Sequence, residues 1–121
     1  MRSTMGSEWE NVVVDAEDPG RLARWWAEAL HYQVTYERPG EVEIRRKAGE
    51  APGIVFVAVP ELKSVKNRLH LDLRPENQEA EVERLVDMGA RHVDVGQGSV
   101  DGWVVLADPE GNEFCVLAPR S

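Results

Sequence analysis

The sequence predicts an α+β fold built from two similar halves, each with the element order strand, helix, strand, strand, strand. Two observations predict this architecture. A constant shift of 59 residues aligns the apolar and polar positions of the first half with those of the second half. Within each half the hydrophobic period changes from about 2 residues to about 3.6 and back, as it does between strands and helices.

The repeat rests on matched residue character more than on identity. Asp18 matches Asn77. The other matched pairs are Trp26 with Leu85, Asn11–Val14 with His70–Leu73, and Val55–Val57 with Phe114–Val116. We interpret the chain as a single domain over residues 9–118, with modules at 9–59 and 67–118, preceded by a flexible leader over residues 1–8.

In the first half, residues 11–15 predict a short β-branched strand. Asp18 followed by Pro19 predicts a helix start, because aspartate caps the first turn and proline is tolerated at the first helical position. The apolar face of this helix consists of Leu22, Trp25, Trp26, Ala29 and Leu30. Three strands are predicted at 33–37, 41–46 and 53–59, separated by turns at Pro39-Gly40 and Pro52-Gly53.

In the second half, strict alternation of apolar and polar residues predicts a strand over 68–73. A helix is predicted from Pro75 to Met88, with Gly89 at its end. Its buried residues are expected to be Val82, Leu85 and Val86. Three strands follow at 91–96, 102–107 and 113–117, the last two joined by the turn sequence Asp108-Pro109-Glu110-Gly111-Asn112.

Charge and composition exclude several function classes. The 121 residues include 14 Lys and Arg against 22 Asp and Glu, for a net charge of −8. A surface of this sign repels phosphate backbones and anionic lipids, so we expect no nucleic acid and no membrane partner. No apolar run approaches the roughly 18 residues of a membrane helix. Cys115 is the only cysteine, which excludes an internal disulfide and favours a cytoplasmic location.

Three stretches resemble one known family. Asp18–Leu30, with an aspartate followed by an aromatic pair and a leucine, is similar to its first helix. His70–Ala90, which ends in Met-Gly-Ala, is similar to its second strand and helix. Trp103–Leu117, with the Asp-Pro-Glu-Gly-Asn turn inside it, is similar to its closing hairpin. The chain thereby resembles the glyoxalase/bleomycin-resistance/dioxygenase group, the vicinal-oxygen-chelate superfamily, over residues 9–118.

The resemblance implies two modules packed edge to edge as an incomplete barrel with the helices outside. It also implies a cleft for metals, substrates or drugs, and assembly as a homodimer. Metal-dependent members place ligands on the first and last strands of each module. The matching positions here are Asn11, Phe56, His70 and Cys115.

Only His70 among these four is the expected ligand type, since phenylalanine donates no electron pair and an amide oxygen is a weak ligand for zinc. We therefore expect no complete metal site and no cofactor, as in a glyoxalase-like subgroup with degenerate metal positions. The alternative is a shifted site for a divalent metal that combines His70 and Cys115 with Asp15, Asp72 or Glu113.

Strand alternation predicts a mixed lining for the cleft. The residues predicted for catalysis are His70, Asp72 and Glu113. The residues predicted to contact a ligand are Asn11, Phe56, Arg68, His70, Trp103 and Cys115. His70, oriented by a carboxylate, suits a general acid or base; Arg68 suits an anionic group, and the Trp103 indole suits a flat ring.

Each of these residues also has a structural interpretation. Arg68 and Asp72 flank His70 and would then form a polar ladder, while Glu113 would cap its hairpin through backbone amides. Cys115 would be a small buried hydrophobic residue, and Trp103 would pack at the barrel rim or at a dimer interface.

Two functions follow from these alternatives. In the first, the protein binds a small organic molecule, such as an aromatic one, without transforming it, as drug-sequestering members of the family do. In the second, it is a lyase or isomerase that uses a displaced metal site, or His70 with Asp72 or Glu113 as acid–base groups. A dimeric interaction module is a third interpretation.

Overall fold

The computed structural model of the chain describes residues 6, 9–65, 67, 69–93 and 102–119. The chain divides into two compact units, Met1–Glu61 and Leu62–Ser121, called here the first and the second module. Over the described residues each module has one helix and one four-stranded sheet, which confirms the α+β class and the duplicated element order. The predicted leader, apart from Gly6, lies outside the described residues, and the grouping of both modules into a single domain stays a prediction.

The elements of the first module end within one residue of their predicted limits. They are β1 (Asn11–Ala16), α1 (Pro19–Leu30), β2 (Gln33–Arg38), β3 (Glu41–Arg45) and β4 (Gly53–Ala58). The order across the sheet is β1-β4-β3-β2, with β1 parallel to β4 and the other neighbours antiparallel.

One face of the first-module sheet packs against α1. The paired residues Val42 and Phe56, like Ile44 two positions along β3, are at most 2% exposed. Trp25 and Trp26 of α1 are also buried, with their rings edge to face at a centroid distance of 5.0 Å. The predicted apolar helix face therefore forms the core of this module together with β3 and β4.

The second module repeats this arrangement with shorter strands. Its elements are β5 (Asp72–Leu73), α2 (Gln78–Asp87), β6 (Arg91–His92), β7 (Trp103–Ala107) and β8 (Glu113–Leu117). Their order across the sheet is β5-β8-β7-β6, with β5 parallel to β8. Leu85 of α2 is fully buried, as are Leu106, Phe114 and Val116 of the sheet.

Two predicted elements of the second module are shorter than expected. The strand predicted over 68–73 is confined to Asp72–Leu73, and Leu69 is 81% exposed, so strand pairing covers only the end of the alternating pattern. Helix α2 begins at Gln78 instead of Pro75, because Asn77 supplies the cap. Of its predicted buried residues, only Leu85 is fully buried; Val82 and Val86 are half-buried. Residues 94–96 of the strand predicted at 91–96 lie outside the described residues.

The two helices start with equivalent caps. Asp18 Oδ1 accepts a hydrogen bond from the Arg21 N–H at 3.2 Å, and Asn77 Oδ1 accepts one from the Ala80 N–H at 3.0 Å. The two cap residues are 59 positions apart (77 − 18), and so are the two donor residues (80 − 21), which is the predicted shift. The repeat is therefore present in backbone geometry as well as in sequence pattern.

The closing hairpin is held by a buried carboxylate. Asp108 is 1% exposed, and its Oδ1 accepts from the backbone N–H groups of Glu110 at 2.9 Å and Asn112 at 3.0 Å. This geometry explains the predicted turn, because an aspartate that binds backbone amides ahead of it closes the loop. No helix among the described residues is both long enough and apolar enough to span a bilayer.

Candidate functional site

One face of the second-module sheet carries most of the predicted site residues. Strand pairing places Asp72 beside Cys115 and Cys115 beside Val105, so these three side chains form a row across β5, β8 and β7. Because side chains alternate along a strand, the buried Phe114 and Val116 point the other way, toward α2. We call the face that carries the row the Cys115 face.

Two further predicted residues flank this row on β7 and β8. Trp103 pairs with Leu117 on one side of the row, and Glu113 pairs with Ala107 on the other. Successive positions on one face of a strand are about 7 Å apart, which is within the reach of one small organic molecule. The Trp103 side chain is half-buried, so one part of the indole is accessible.

His70 lies in the segment just before β5. The Cys115 N–H donates to the Leu71 carbonyl at 2.9 Å, which extends the pairing with β8 by one residue. His70 Nε2 lies 3.0 Å from Asp72 Oδ1. One ligand atom from each of His70, Asp72 and Cys115 lies within 4.8 Å of the other two. The structure thus supplies the contact that the predicted orientation of His70 by Asp72 requires, while the catalytic roles stay predictions.

Glu113 is engaged with the segment that precedes β5. Its carboxylate accepts hydrogen bonds from the Asn67 N–H at 3.2 Å and from Lys63 Nζ at 3.3 Å. The Asn67 side chain returns a bond to the Glu113 carbonyl at 3.1 Å. Burial by itself raises the pKa of Glu113, but the donors from Asn67 and Lys63 outweigh it and leave the pKa below its ordinary value. This pattern favours an anchoring role, with the amide of Asn67 in place of the hairpin amides expected from the sequence.

The two positions that the family resemblance assigns to the first module, Asn11 and Phe56, do not lie on the same face of the sheet. Asn11 pairs with Gly53 and Val14 pairs with Phe56, so Asn11 and Phe56 lie on opposite faces of the sheet. Phe56 is 1% exposed and belongs to the core that α1 covers. The prediction that Phe56 lines the same face as Asn11 is therefore wrong.

The register of the repeat explains this error. Val14 matches Leu73 with the shift of 59, but Val14 pairs with Phe56 whereas Leu73 pairs with Val116. The last strand consequently follows a shift of 116 − 56 = 60, and Phe56 corresponds to the core residue Val116 instead of Cys115. A slip of one residue exchanges the two faces of a strand.

A buried cation on the first module escaped the sequence analysis. Arg45 is 6% exposed; its Nη2 donates to Glu10 Oε2 at 2.7 Å and to Glu43 Oε2 at 3.0 Å, and its Nη1 donates to the Glu50 carbonyl at 3.1 Å. A Cβ atom added to Gly53 would lie 2.9 Å from Arg45 Cζ, so the glycine makes room for the guanidinium. The hydrogen bond from Arg45, followed by one from Thr35, holds the pKa of Glu43 below its ordinary value.

The sequence carried a weak signal for this network. Glu41, Glu43 and Arg45 occupy alternate positions along β3, on the face away from α1. Arg68, the cation that we did predict for the site, lies outside the described residues.

The residues His70, Asp72 and Cys115 suit a divalent ion better than the four positions taken from the family resemblance. Imidazole nitrogen, carboxylate oxygen and thiolate sulfur are all zinc ligands, and three protein ligands with one open position is the arrangement of catalytic sites. In a tetrahedral site, bond lengths of about 2.0–2.3 Å place two zinc donors roughly 3.3–3.6 Å apart. The donor atoms of the three residues lie within 4.8 Å of one another, so their side chains would have to move closer together to hold an ion. Of the three carboxylates predicted as alternatives for a shifted site, Asp15, Asp72 and Glu113, it is Asp72 that lies beside His70 and Cys115.

Comparison with known proteins agrees with this architecture. The family model for a glyoxalase-like domain matches residues 11–117, which span both modules. The chain belongs to the glyoxalase-like domain family. It is thereby a member of the glyoxalase/bleomycin-resistance/dioxygenase group, the vicinal-oxygen-chelate superfamily that the sequence resembles. No curated protein matches it in sequence.

Solved structures share the fold of this glyoxalase-like domain at low identity. A glyoxalase/bleomycin resistance protein/dioxygenase family enzyme from Burkholderia phytofirmans PsJN is 18% identical, with a TM-score of 0.71 over 94% of this chain and 100% of that chain. A glyoxalase-related enzyme from Fulvimarina pelagi is 14% identical, with a TM-score of 0.69 over 92% and 87%. A bleomycin resistance determinant encoded on transposon Tn5 is 15% identical, with a TM-score of 0.60 over 95% and 100%. At these identities the likeness concerns the fold.

Proposed function

We propose that this glyoxalase-like domain binds a small organic molecule at the Cys115 face, without the four-position metal site typical of the family. The observation that supports this most is the grouping of His70, Asp72 and Cys115 within 4.8 Å on the face that also carries Trp103. A hydrogen-bonding pair, a polarisable thiol and an indole on one surface are the elements with which proteins hold small polar aromatic compounds.

Access to this face supports the proposal. The side chains of His70 and Asp72 are 48% and 52% exposed, so their hydrogen-bonding atoms are within reach of an incoming molecule. Helix α2 covers the opposite face, where Phe114 and Val116 are buried. The polar groups are thus held by a sheet with a packed core behind it, which limits the conformational entropy lost on binding.

Charge favours one class of ligand. The exposed Asp72 carboxylate and the net charge of −8 repel anions. Glu113, the other carboxylate on this face, is already neutralised by Lys63. We therefore expect neutral or cationic aromatic compounds to bind more tightly than anionic ones of the same size.

Tryptophan fluorescence tests the proposal. The chain is titrated with a panel of neutral, cationic and anionic aromatic compounds in the presence of a chelator, and the emission is recorded. We expect saturable quenching that is lost in Trp103→Phe and weakened in Asp72→Asn. Trp9→Phe is the matched control, because Trp9 is 65% exposed and belongs to the first module.

Two results would overturn the binding proposal. One is the absence of saturable quenching across the whole panel. The other is quenching that survives intact in Trp103→Phe and Asp72→Asn but is lost in Trp9→Phe, because that would place the ligand on another surface.

A second candidate function is a metal-free lyase or isomerase. The separation of 3.0 Å between His70 Nε2 and Asp72 Oδ1 favours it, because an imidazole oriented by a carboxylate is a common acid–base group. Turnover of carbonyl compounds by chelator-treated protein, lost in His70→Ala and retained in His92→Ala, would support this function. Equal turnover in both variants would exclude His70 from the chemistry.

The assembly and location of the protein belong to the same proposal. The homodimer implied by the family resemblance and the cytoplasmic location favoured by the single cysteine are retained here as predictions. Light scattering coupled to size-exclusion chromatography tests the first, with a mass of about twice the 13.6 kDa chain expected for a dimer.

A further inference from the structure

We propose that the first module holds a second binding site, for a small aliphatic amine, in a cleft between the start of α1 and the turn that joins β2 to β3. We call it the α1 cleft. Its volume is about 590 Å³, within the range of small-molecule sites. The α1 cleft belongs to the first module and the Cys115 face to the second, so the inference goes beyond the proposed function and does not depend on it.

Small residues leave this space open. Pro19 and Gly20 border the cleft at the first turn of α1, and Pro39 and Gly40 border it at the turn between β2 and β3. Ala58, the last residue of β4, completes this end, where its N–H donates to the Gly40 carbonyl at 2.9 Å. Gly40 has a φ of 83°, which glycine adopts readily, so the turn closes without a side chain that would enter the cleft.

The apolar part of the lining is aliphatic. Val42 is 2% exposed and lies on the α1 side of β3. Together with Ala58, Pro19 and Pro39 it supplies hydrocarbon surface, and no aromatic ring lines the cleft. Burial of apolar area is non-directional, so a saturated ring or chain suits this surface as well as a flat one does. We therefore expect the ligand to carry an aliphatic body.

Two carboxylates border the same cleft. Asp18 lies at the start of α1, and its Oδ1 accepts the capping hydrogen bond from Arg21 at 3.2 Å. Glu37 pairs with Val42 across β2 and β3, so its side chain lies on the α1 side of the sheet. An ionised carboxylate accepts several hydrogen bonds, so each group can also accept from the N–H bonds of an ammonium ion.

The two nearby guanidinium groups are already paired. Arg24 Nη2 donates to Glu37 Oε1 at 2.7 Å and its Nη1 donates to the Gly20 carbonyl at 3.2 Å, which leaves Glu37 Oε2 for a ligand. Arg38 pairs with Glu41 across the strands, on the face away from α1, with Nη2 2.8 Å from Glu41 Oε1. The charge that faces the cleft is therefore mainly negative, and the net charge of −8 attracts cations to the surface as a whole.

An amide NMR titration of the full chain at low ionic strength tests this site, with cyclohexylamine as the probe. Gly20 and Gly40 are the reporters, because both border the cleft and glycine amides are well separated in such spectra. We expect saturable shifts of both signals with cyclohexylamine and weaker binding of the neutral cyclohexanol. The anionic cyclohexanecarboxylate should not bind, since it meets two carboxylates.

Two substitutions separate the contribution of shape from that of charge. Ala58→Leu should abolish the saturable shifts, because the larger side chain fills the cleft while the backbone bond to Gly40 is kept. Ala80→Leu, the same change at an exposed position of α2, is the control. Glu37→Gln should weaken cyclohexylamine binding by about two- to fivefold, as expected for an ion pair whose carboxylate is 48% exposed, and leave cyclohexanol binding unchanged.

Three results would overturn the proposal: no saturable shift at Gly20 and Gly40, equal affinity for cyclohexylamine and cyclohexanecarboxylate, or wild-type binding in Ala58→Leu. Asp72→Asn distinguishes this site from the Cys115 face. It should leave the cyclohexylamine titration unchanged, although it weakens the binding of aromatic ligands in the fluorescence experiment. Failure of the α1 cleft therefore leaves the proposed function standing, and failure of the proposed function leaves the α1 cleft standing.

Discussion

Asp72 and Cys115 are register partners on the parallel strands β5 and β8, and their side chains lie on the face of the sheet opposite α2. His70 reaches the same carboxylate from two residues earlier in the chain. The candidate site is thus assembled from neighbouring backbone positions of one module, and the buried Phe114 and Val116 support it from behind.

Phe56→Leu is expected to change stability without changing ligand binding. Phe56 is 1% exposed in the core of the first module, so the smaller side chain should lower the free energy of unfolding by about 1–2 kcal/mol. Urea unfolding measures this loss, and fluorescence titration measures the dissociation constant of the best aromatic ligand. A loss of ligand affinity larger than the change in the folded fraction explains would show that Phe56 contributes to ligand binding.

Gly53→Ala should be destabilising because of Arg45. The added Cβ would lie 2.9 Å from Arg45 Cζ, and the guanidinium cannot move without breaking its bonds to Glu10 and Glu43. We expect a loss of about 1–3 kcal/mol in the free energy of unfolding. In an Arg45→Met background the flexible thioether can give way, so the cost of Gly53→Ala should fall. Equal costs in the two backgrounds would show that the two residues are not coupled.

Glu43→Gln should change how stability depends on pH. The Arg45 hydrogen bond lowers the pKa of Glu43 from its ordinary value of 4.5, so the folded state favours the ionised form. The stabilisation is fully present above pH 4.5 and is lost as the pH falls through the lower folded-state pKa. The variant should therefore be less stable than the wild type at neutral pH, by about 1–2 kcal/mol, and closer to it in acid.

Urea unfolding at several pH values tests this expectation for Glu43. Glu61→Gln, which removes an exposed carboxylate outside the network, is the control for the loss of one charge. A stability difference between Glu43→Gln and the wild type that stays constant from neutral to acidic pH would contradict the role given to Arg45.

The two helix caps should be energetically similar. Asp18→Ala and Asn77→Ala each remove an oxygen that accepts from a backbone N–H three residues later, at 3.2 and 3.0 Å. We expect each change to lower the free energy of unfolding by about 1 kcal/mol. Thermal unfolding of the two alanine variants, with Asp18→Asn as a control that keeps a cap, compares the two contributions. A loss of stability in only one of the alanine variants would show that the two caps do not contribute equally to the free energy of unfolding.

Much of the fold could be predicted from local signals. Asp18-Pro19 and the Trp25-Trp26 pair specify the start and the buried face of α1, and the limits of the first-module elements are predicted to within one residue. The turn around Asp108 is a local signal of the same kind in the second module. The second module was less predictable, because an alternating pattern does not determine how many of its residues pair with a neighbouring strand. The alternating pattern over 68–73 includes Leu69, but Leu69 is 81% exposed and lies outside β5.

The site was predictable only where strand parity was correct. His70, Asp72 and Cys115 come together as alternation predicts. The prediction for Phe56 is wrong because the shift between the halves increases from 59 to 60 residues before the last strand, and no local pattern reveals such a slip. The Arg45 network also escaped prediction, since two of its partners, Glu10 and the Glu50 carbonyl, lie outside β3.

The most direct measurement of the central claim is a two-dimensional amide NMR titration of the full chain with the tightest aromatic ligand from the fluorescence panel. We predict that the largest shifts occur at the Trp103 indole and at the amides of His70, Asp72 and Cys115. Saturating shifts confined to the first module, with these four signals unmoved, would contradict the placement of the binding site on the Cys115 face.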